Sequence, residues 1–146
     1  MKLKIKKLST DAIIPNYSYD DDAGFDLYSI EDLEIKPNER VQIATGIAMQ
    51  IPSGFVGLIW DKSGLSHNFG LKTLGGVVDS GYRGEVKAGL VNLGNEIYSI
   101  KKGQKIAQMI IQQKEICEIE EVDELEDSHR GEGGFGSSGI FNKENN

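Results

Sequence analysis

The chain has 146 residues, 38% of them apolar, with 16 basic and 23 acidic side chains and a formal net charge of −7. That length fits one domain with a core of ordinary size. So acidic a surface repels a nucleic-acid polymer, and no window approaches the roughly 18 uninterrupted apolar residues of a membrane span. A single cysteine, Cys117, excludes an internal disulfide, and two histidines, His67 and His129, are too few to build a Cys/His zinc site with it. No apolar run follows the basic start Met1–Lys7, as a signal peptide would require, so a cytoplasmic protein is expected.

The 18 glycines and the prolines Pro15, Pro37 and Pro52 punctuate short apolar runs, the pattern of an all-β domain with tight turns. In chain order, 3–6 alternates apolar and polar residues, and 41–51 does the same with a break at Thr45-Gly46. The runs 55–60, 86–93, 97–100 and 106–111 follow, with turn clusters at 36–39, 52–54, 92–95 and 101–103. Strand signals spaced by about 8–12 residues predict a sandwich or barrel rather than βαβ units. Residues 63–68 predict a short helix. Between Glu115 and Glu126, Ile116, Ile119, Val122 and Leu125 suit either a short acidic helix or a strand passing into a linker, and the run of strands before them favours the second. From Glu115 to Asp127 there are eight acidic residues and no basic one. The stretch 130–139 holds five glycines and one large apolar residue, too little to bury by itself, which predicts a mobile arm. The expected division is a β-domain over 1–127 and an arm over 128–146.

Five constellations carry candidate chemistry. Asp20, Asp21, Asp22 and Asp26 resemble an oxygen-donor set for Mg²⁺; the first three are better read as a solvated acidic loop, whereas Asp26 sits between Phe25 and Leu27, where a charge needs a reason. Lys62-Ser63-Gly64 ahead of a short helix brings together a cation, a hydroxyl and free N–H groups, or simply makes a solvated turn. Asp79, after Val77 and Val78, is placed to take a proton from water as a general base, or to start an Asp-Ser-Gly turn. Gln108 interrupts an apolar run, as a solvent-facing position or a water-orienting amide. Gly131-x-Gly133-x-x-Gly136 matches the dinucleotide fingerprint in letters alone, because too few residues remain for the helix and strand that must follow. Its glycine N–H groups, with Arg130, Ser137 and Ser138, still suit phosphate oxygens, and Phe135 offers a face for base stacking.

Taken together and in this order, Ala23-Gly24-Phe25-Asp26-Leu27, Lys62-Ser63-Gly64, Gly76-Val77-Val78-Asp79-x-x-Tyr82-Arg83-Gly84, Gly103-x-Lys105-Ile106-Ala107-Gln108 and Arg130-Gly131-x-Gly133-Gly134-Phe135-Gly136-Ser137-Ser138-Gly139 resemble the five motifs of homotrimeric dUTPases. The resemblance implies a distorted antiparallel β-barrel of the jelly-roll kind with a flexible C-terminal arm, forming a homotrimer with active sites at subunit interfaces. It implies hydrolysis of dUTP to dUMP and pyrophosphate with Mg²⁺, which limits uracil in DNA and supplies dUMP for thymidylate synthesis. By motif, Asp79 is the base that activates water, Gln108 positions water and phosphate, and Asp26 holds Mg²⁺ through water. Tyr82 packs on the deoxyribose, the hairpin from Thr73 through Gly76 to Val78 reads uracil, and Lys62, Ser63 and Gly64 hold phosphates. From a third subunit, Arg130 meets the γ-phosphate, Phe135 covers the uracil, and Gly136, Ser137 and Ser138 meet phosphate oxygens. Lys62 departs from the arginine usual in the family and loses its bidentate fork. Two rivals share this scaffold. A dCTP deaminase carries a glutamate at the position of Gly89, where glycine has no side chain to move a proton. A silent dUTP-binding regulator would lack turnover.

Overall fold

A computed structural model describes residues 1–134. Its strands are β1 (Lys4–Lys7), β2 (Phe25–Tyr28), β3 (Leu33–Ile35), β4 (Arg40–Gln50), β5 (Phe55–Trp60), β6 (Leu71–Leu74), β7 (Val77–Asp79), β8 (Glu85–Asn92), β9 (Tyr98–Ile100) and β10 (Lys105–Gln113), with one helix, α1 (Ser63–Phe69). They form three sheets, in the orders β1-β4-β8-β6, β2-β10-β5-β7 and β3-β9, and every pairing is antiparallel. This is the expected all-β, jelly-roll type of barrel. Chain contacts separate Met1–Glu115 from a second unit beginning at Ile116. No helix among the described residues is long and apolar enough to cross a membrane.

Alternation builds the core. Along β4, Ile43, Ile47 and Met49 point inward and are buried, while Arg40, Gln42 and Gln50 at its ends stay exposed. They meet Leu90 from β8, Leu27 from β2 and Met109 from β10 in one continuous cluster. The break foreseen at Thr45-Gly46 is a bulge, where the β4–β8 register shifts between Ala44 and Ala48. There the Thr45 hydroxyl donates to the Val86 carbonyl, and the Gly46 N–H donates to Glu85 Oε1 at 2.9 Å.

Strands β2, β3 and β6 lie outside the runs read from the sequence. Each is only three or four residues long and carries a charged residue, so alternation has no length in which to show. The segment 115–126 forms neither helix nor strand, and Ile116, Ile119 and Leu125 are exposed, so the helix alternative there is not taken.

The turn after β8 is organised by a fully buried amide. Asn92 Nδ2 donates to the Ile35 and Glu96 carbonyls, both at 2.8 Å, and Asn92 Oδ1 accepts the Gly94 N–H at 2.8 Å. Replacing it leaves the buried Ile35 carbonyl without a partner, whereas the Gly94 and Glu96 groups of the more exposed turn can bond to water. Asn92→Ala is expected to lower unfolding free energy by about 3 kcal/mol, read by urea denaturation.

Candidate active site

The chain crosses from one large sheet to the other between β6 and β7, at Gly75-Gly76. Gly76 has φ +43°, and its carbonyl accepts the Ile59 N–H of β5 at 2.7 Å; a Cβ there would lie 2.7 Å from the Ile59 carbonyl oxygen. Across the corner, a Cβ on Gly89 of β8 would lie 2.9 Å from the Leu74 carbonyl oxygen. Two side-chain-free positions thus let the β6–β7 corner press against both neighbours, and because β6 pairs with β8 and β7 with β5, the hairpin expected from Thr73 to Val78 is a crossover between sheets rather than a paired hairpin. Beside it lies a cavity of about 770 Å³ whose lining includes Gly75, Gly76, Val78, Asp79, Tyr82 and Gly89. Asp79 ends β7 and is exposed. A turn follows, with the Tyr82 N–H donating to the Asp79 carbonyl at 3.1 Å and Arg83 Nη1 donating to the Ser80 and Tyr82 carbonyls. The Tyr82 hydroxyl donates to the Glu85 carbonyl at 3.0 Å, which leaves its ring half-exposed at the cavity. A carboxylate, a phenol ring and a backbone corner therefore share one concave surface, as small-molecule sites do.

A second cluster surrounds Asp26. Its Cα is paired with that of Gln108 on β10, and Gln108 is paired with Trp60 on β5. Asp26 is 2% exposed. Lys62 Nζ lies 2.6 Å from its Oδ1 and Lys105 Nζ 2.6 Å from its Oδ2, while the Ser18 hydroxyl donates to Oδ2 at 2.9 Å and accepts from Lys105 Nζ at 2.8 Å. Burial would raise the Asp26 pKa, but the hydrogen bonds from Lys105, Lys62 and Ser18 outweigh it and hold the carboxyl below its usual value. The charge between Phe25 and Leu27 thus has its reason in a pair of ammonium groups. Ser63 and Gly64 open α1 directly after Lys62, where first-turn N–H groups lack partners within the helix.

A third residue joins these parts. Asp61 Oδ1 accepts both the Thr73 N–H and the Thr73 hydroxyl at 2.7 Å, its Oδ2 pairs with Lys72 Nζ at 2.8 Å, and its backbone carbonyl accepts Gln108 Nε2 at 2.8 Å. Burial would raise the Asp61 pKa, yet Lys72 and the Thr73 donors keep it lowered. Lys105, Ser18 and the Asp61 side chain were not singled out by sequence. Lys105 lay inside a quoted motif and Asp61 directly before one, but nothing local marked their partners.

The two clusters sit at opposite ends of β5: Gln108 pairs with Trp60, whereas Asp79 pairs with Val56. Four residues along the strand and two inter-strand spacings across put the Gln108 and Asp79 backbones about 16 Å apart. In the unit from Ile116, Arg130 Nε donates to the Gly133 carbonyl at 2.6 Å. Phe135, Gly136, Ser137 and Ser138 lie outside the described residues.

The dUTPase family model matches residues 10–139. A deoxyuridine 5'-triphosphate nucleotidohydrolase of Clostridium kluyveri is 50% identical over 143 residues, which cover 97% of this chain and 100% of that protein. The structure of Staphylococcus bacteriophage 80alpha dUTPase with dUPNHPP superposes with a TM-score of 0.90 at 33% identity, covering 95% of this chain and 99% of that one. A dUTPase from phage phi11 of S. aureus, solved with a coordinated structural Mg(II) ion, gives a TM-score of 0.80 at 28% identity over 85% of this chain and 98% of its own.

Because the folded pKa of Asp26 is depressed, its contribution to stability is complete above the unfolded value and is lost as pH falls through the folded one. Asp26→Asn is expected to cost about 2 kcal/mol at pH 7 and to flatten the fall in stability below pH ~4, measured by denaturant midpoints across pH. An unchanged acid limb in the variant would show that other carboxylates govern it.

Proposed function

The chain belongs to the dUTPase family, and on that premise we propose that it hydrolyses dUTP to dUMP and pyrophosphate. The observation that carries this reading is the single cavity shared by Asp79, Tyr82 and the Gly75–Val78 corner. Asp79 takes a proton from water, the water oxygen attacks the α-phosphorus in line, and the bond from that phosphorus to the α,β-bridging oxygen breaks to release pyrophosphate. Tyr82 packs on the deoxyribose and leaves no room for a 2′-hydroxyl. The crossover from Thr73 through Gly76 to Val78 reads uracil with its backbone, supported by the Gly76–Ile59 hydrogen bond. Gly89 lies too close to Leu74 to carry the carboxylate that deamination needs. In the cytoplasm such a reaction keeps uracil out of DNA and supplies dUMP for thymidylate synthesis.

The phosphate side falls to Lys62, Ser63, Gly64 and Gln108. No group of three metal-ligating His, Cys, Asp or Glu side chains occurs among the described residues, and both Asp26 oxygens already meet ammonium groups. Asp26 would hold a hydrated Mg²⁺ through water where Lys62 or Lys105 turns from its carboxylate towards the phosphates. When bound, Mg²⁺ supplies charge neutralisation of the triphosphate; the residues of the chain position it.

One chain holds Asp79 and Gln108 too far apart to orient the same water, which supports a site shared between copies. We place Asp79 and the crossover of one copy against Asp26, Lys62 and Gln108 of a second in a homotrimer. The arm over 128–146 closes from a third, with Arg130 on the γ-phosphate, Phe135 over the uracil, and Gly136, Ser137 and Ser138 on phosphate oxygens.

Pyrophosphate release should be rapid with dUTP and only residual with dCTP, dTTP or UTP. Asp79→Asn should abolish turnover while retaining dUTP binding, and Gln108→Ala should lose most activity. Co-refolding these two variants in equal amounts should restore about a quarter of parental activity, because random assembly leaves that share of shared sites intact. No recovery would place both residues in a one-chain site. Lys62→Arg should lower KM for dUTP by restoring the fork on phosphate; an unchanged KM would remove Lys62 from the phosphate contacts.

A further inference from the structure

Asp61 has its side chain on one half of the site and its backbone on the other. The carboxylate holds Thr73, where the crossover that lines the cavity begins, and the carbonyl holds Gln108. Lys62, the next residue, reaches Asp26. Both hydrogen bonds to Thr73 are 2.7 Å long and converge on the same oxygen, Oδ1. That oxygen fixes the position of the Thr73 backbone and the rotamer of its side chain together. The other oxygen faces Lys72, whose half-exposed ammonium can exchange this partner for water at little cost. The element held in place is short: β6 spans four residues, with the glycine corner directly after it. Thr73 also pairs with Leu90 of β8, and Gly76 is tied to Ile59, so a small shift at Thr73 falls on Leu74 and Gly75 between these anchors.

We propose that Asp61 is a positioning residue for substrate recognition: through Thr73 it sets the seat of the base-reading crossover relative to the phosphate-binding loop of the same chain, and so governs affinity and base discrimination rather than the chemical step. This inference rests on the dUTP-hydrolysing reading. Asp61 touches neither base nor phosphate, and its influence travels through hydrogen bonds to Thr73. In the shared assembly the crossover and the loop of one chain serve different sites, so Asp61 lies between two neighbouring substrates.

The test compares Asp61→Ala, Asp61→Asn and Thr73→Val in the full-length protein, measuring KM and kcat for dUTP, the ratio of kcat/KM for dUTP over dTTP, affinity for the analogue dUPNHPP, and thermal midpoint. Asp61→Ala should raise KM and weaken analogue binding about tenfold and narrow the dUTP-over-dTTP ratio, with kcat within about twofold. Asp61→Asn keeps an oxygen for the Thr73 donors and should restore most of the affinity. Thr73→Val, which removes one of the two donors, should fall between them. A folded Asp61→Ala protein with parental KM and selectivity would overturn the proposal. So would a fall confined to kcat, or an Asp61→Asn variant as impaired as the alanine. If Asp61→Ala does not fold, the asparagine and valine variants decide by the same readouts. A parent protein that does not hydrolyse dUTP would instead overturn the broader functional reading.

Discussion

The hydrogen bond from the Ile59 N–H to the Gly76 carbonyl, at 2.7 Å, is the constraint from which the site follows. It ties the point where the chain changes sheets to the C-terminal end of β5, and it forms only because no side chain stands between Gly76 and Ile59. From it the Gly75–Val78 corner acquires a fixed position. β7 then pairs with β5, and Asp79 at its end is directed to the cavity. The close approach of Gly89 to Leu74 holds the other side of the same corner. A backbone made rigid in this way can discriminate between small planar bases, because its donors and acceptors do not rearrange to suit the wrong one.

Charge is arranged on a different scale. The chain carries a net −7, yet around Asp26 two lysines face one carboxylate. Asp22 also acts on Lys105, so the neighbourhood of Lys62-Ser63-Gly64 is close to neutral in a chain that is acidic overall. Asp26 itself stays ionised because the three donors around it outweigh its desolvation. Its role in the free protein is to hold Lys62 and Lys105 in register.

Some of this was legible in the residues. The long alternation of β4 with its break, the runs of β5, β8, β9 and β10, and the short α1 were visible because each is long enough for periodicity or is bounded by turn residues. Asp26 stood out as a charge between two apolar residues, and Asp79 as a carboxylate after two valines. β2, β3 and β6 were not visible, because strands of three or four residues owe their existence to the partner they pair with. Nor did anything near Asp61 announce Thr73 as its ligand, since an exposed turn and a short strand read the same whether or not they touch.

Sequence by itself determined the class of fold, the order of the five motifs and the types of functional group available, since these depend on residue identity and local spacing. Tertiary structure alone decided which groups meet. It put Lys62 and Lys105 on the same carboxylate, made Asp61 a junction between Thr73 and Gln108, and set Asp79 and Gln108 at opposite ends of β5. The physical reason is that strand register and sheet crossing bring together residues far apart in the chain, and register is set by the whole core rather than by any one segment.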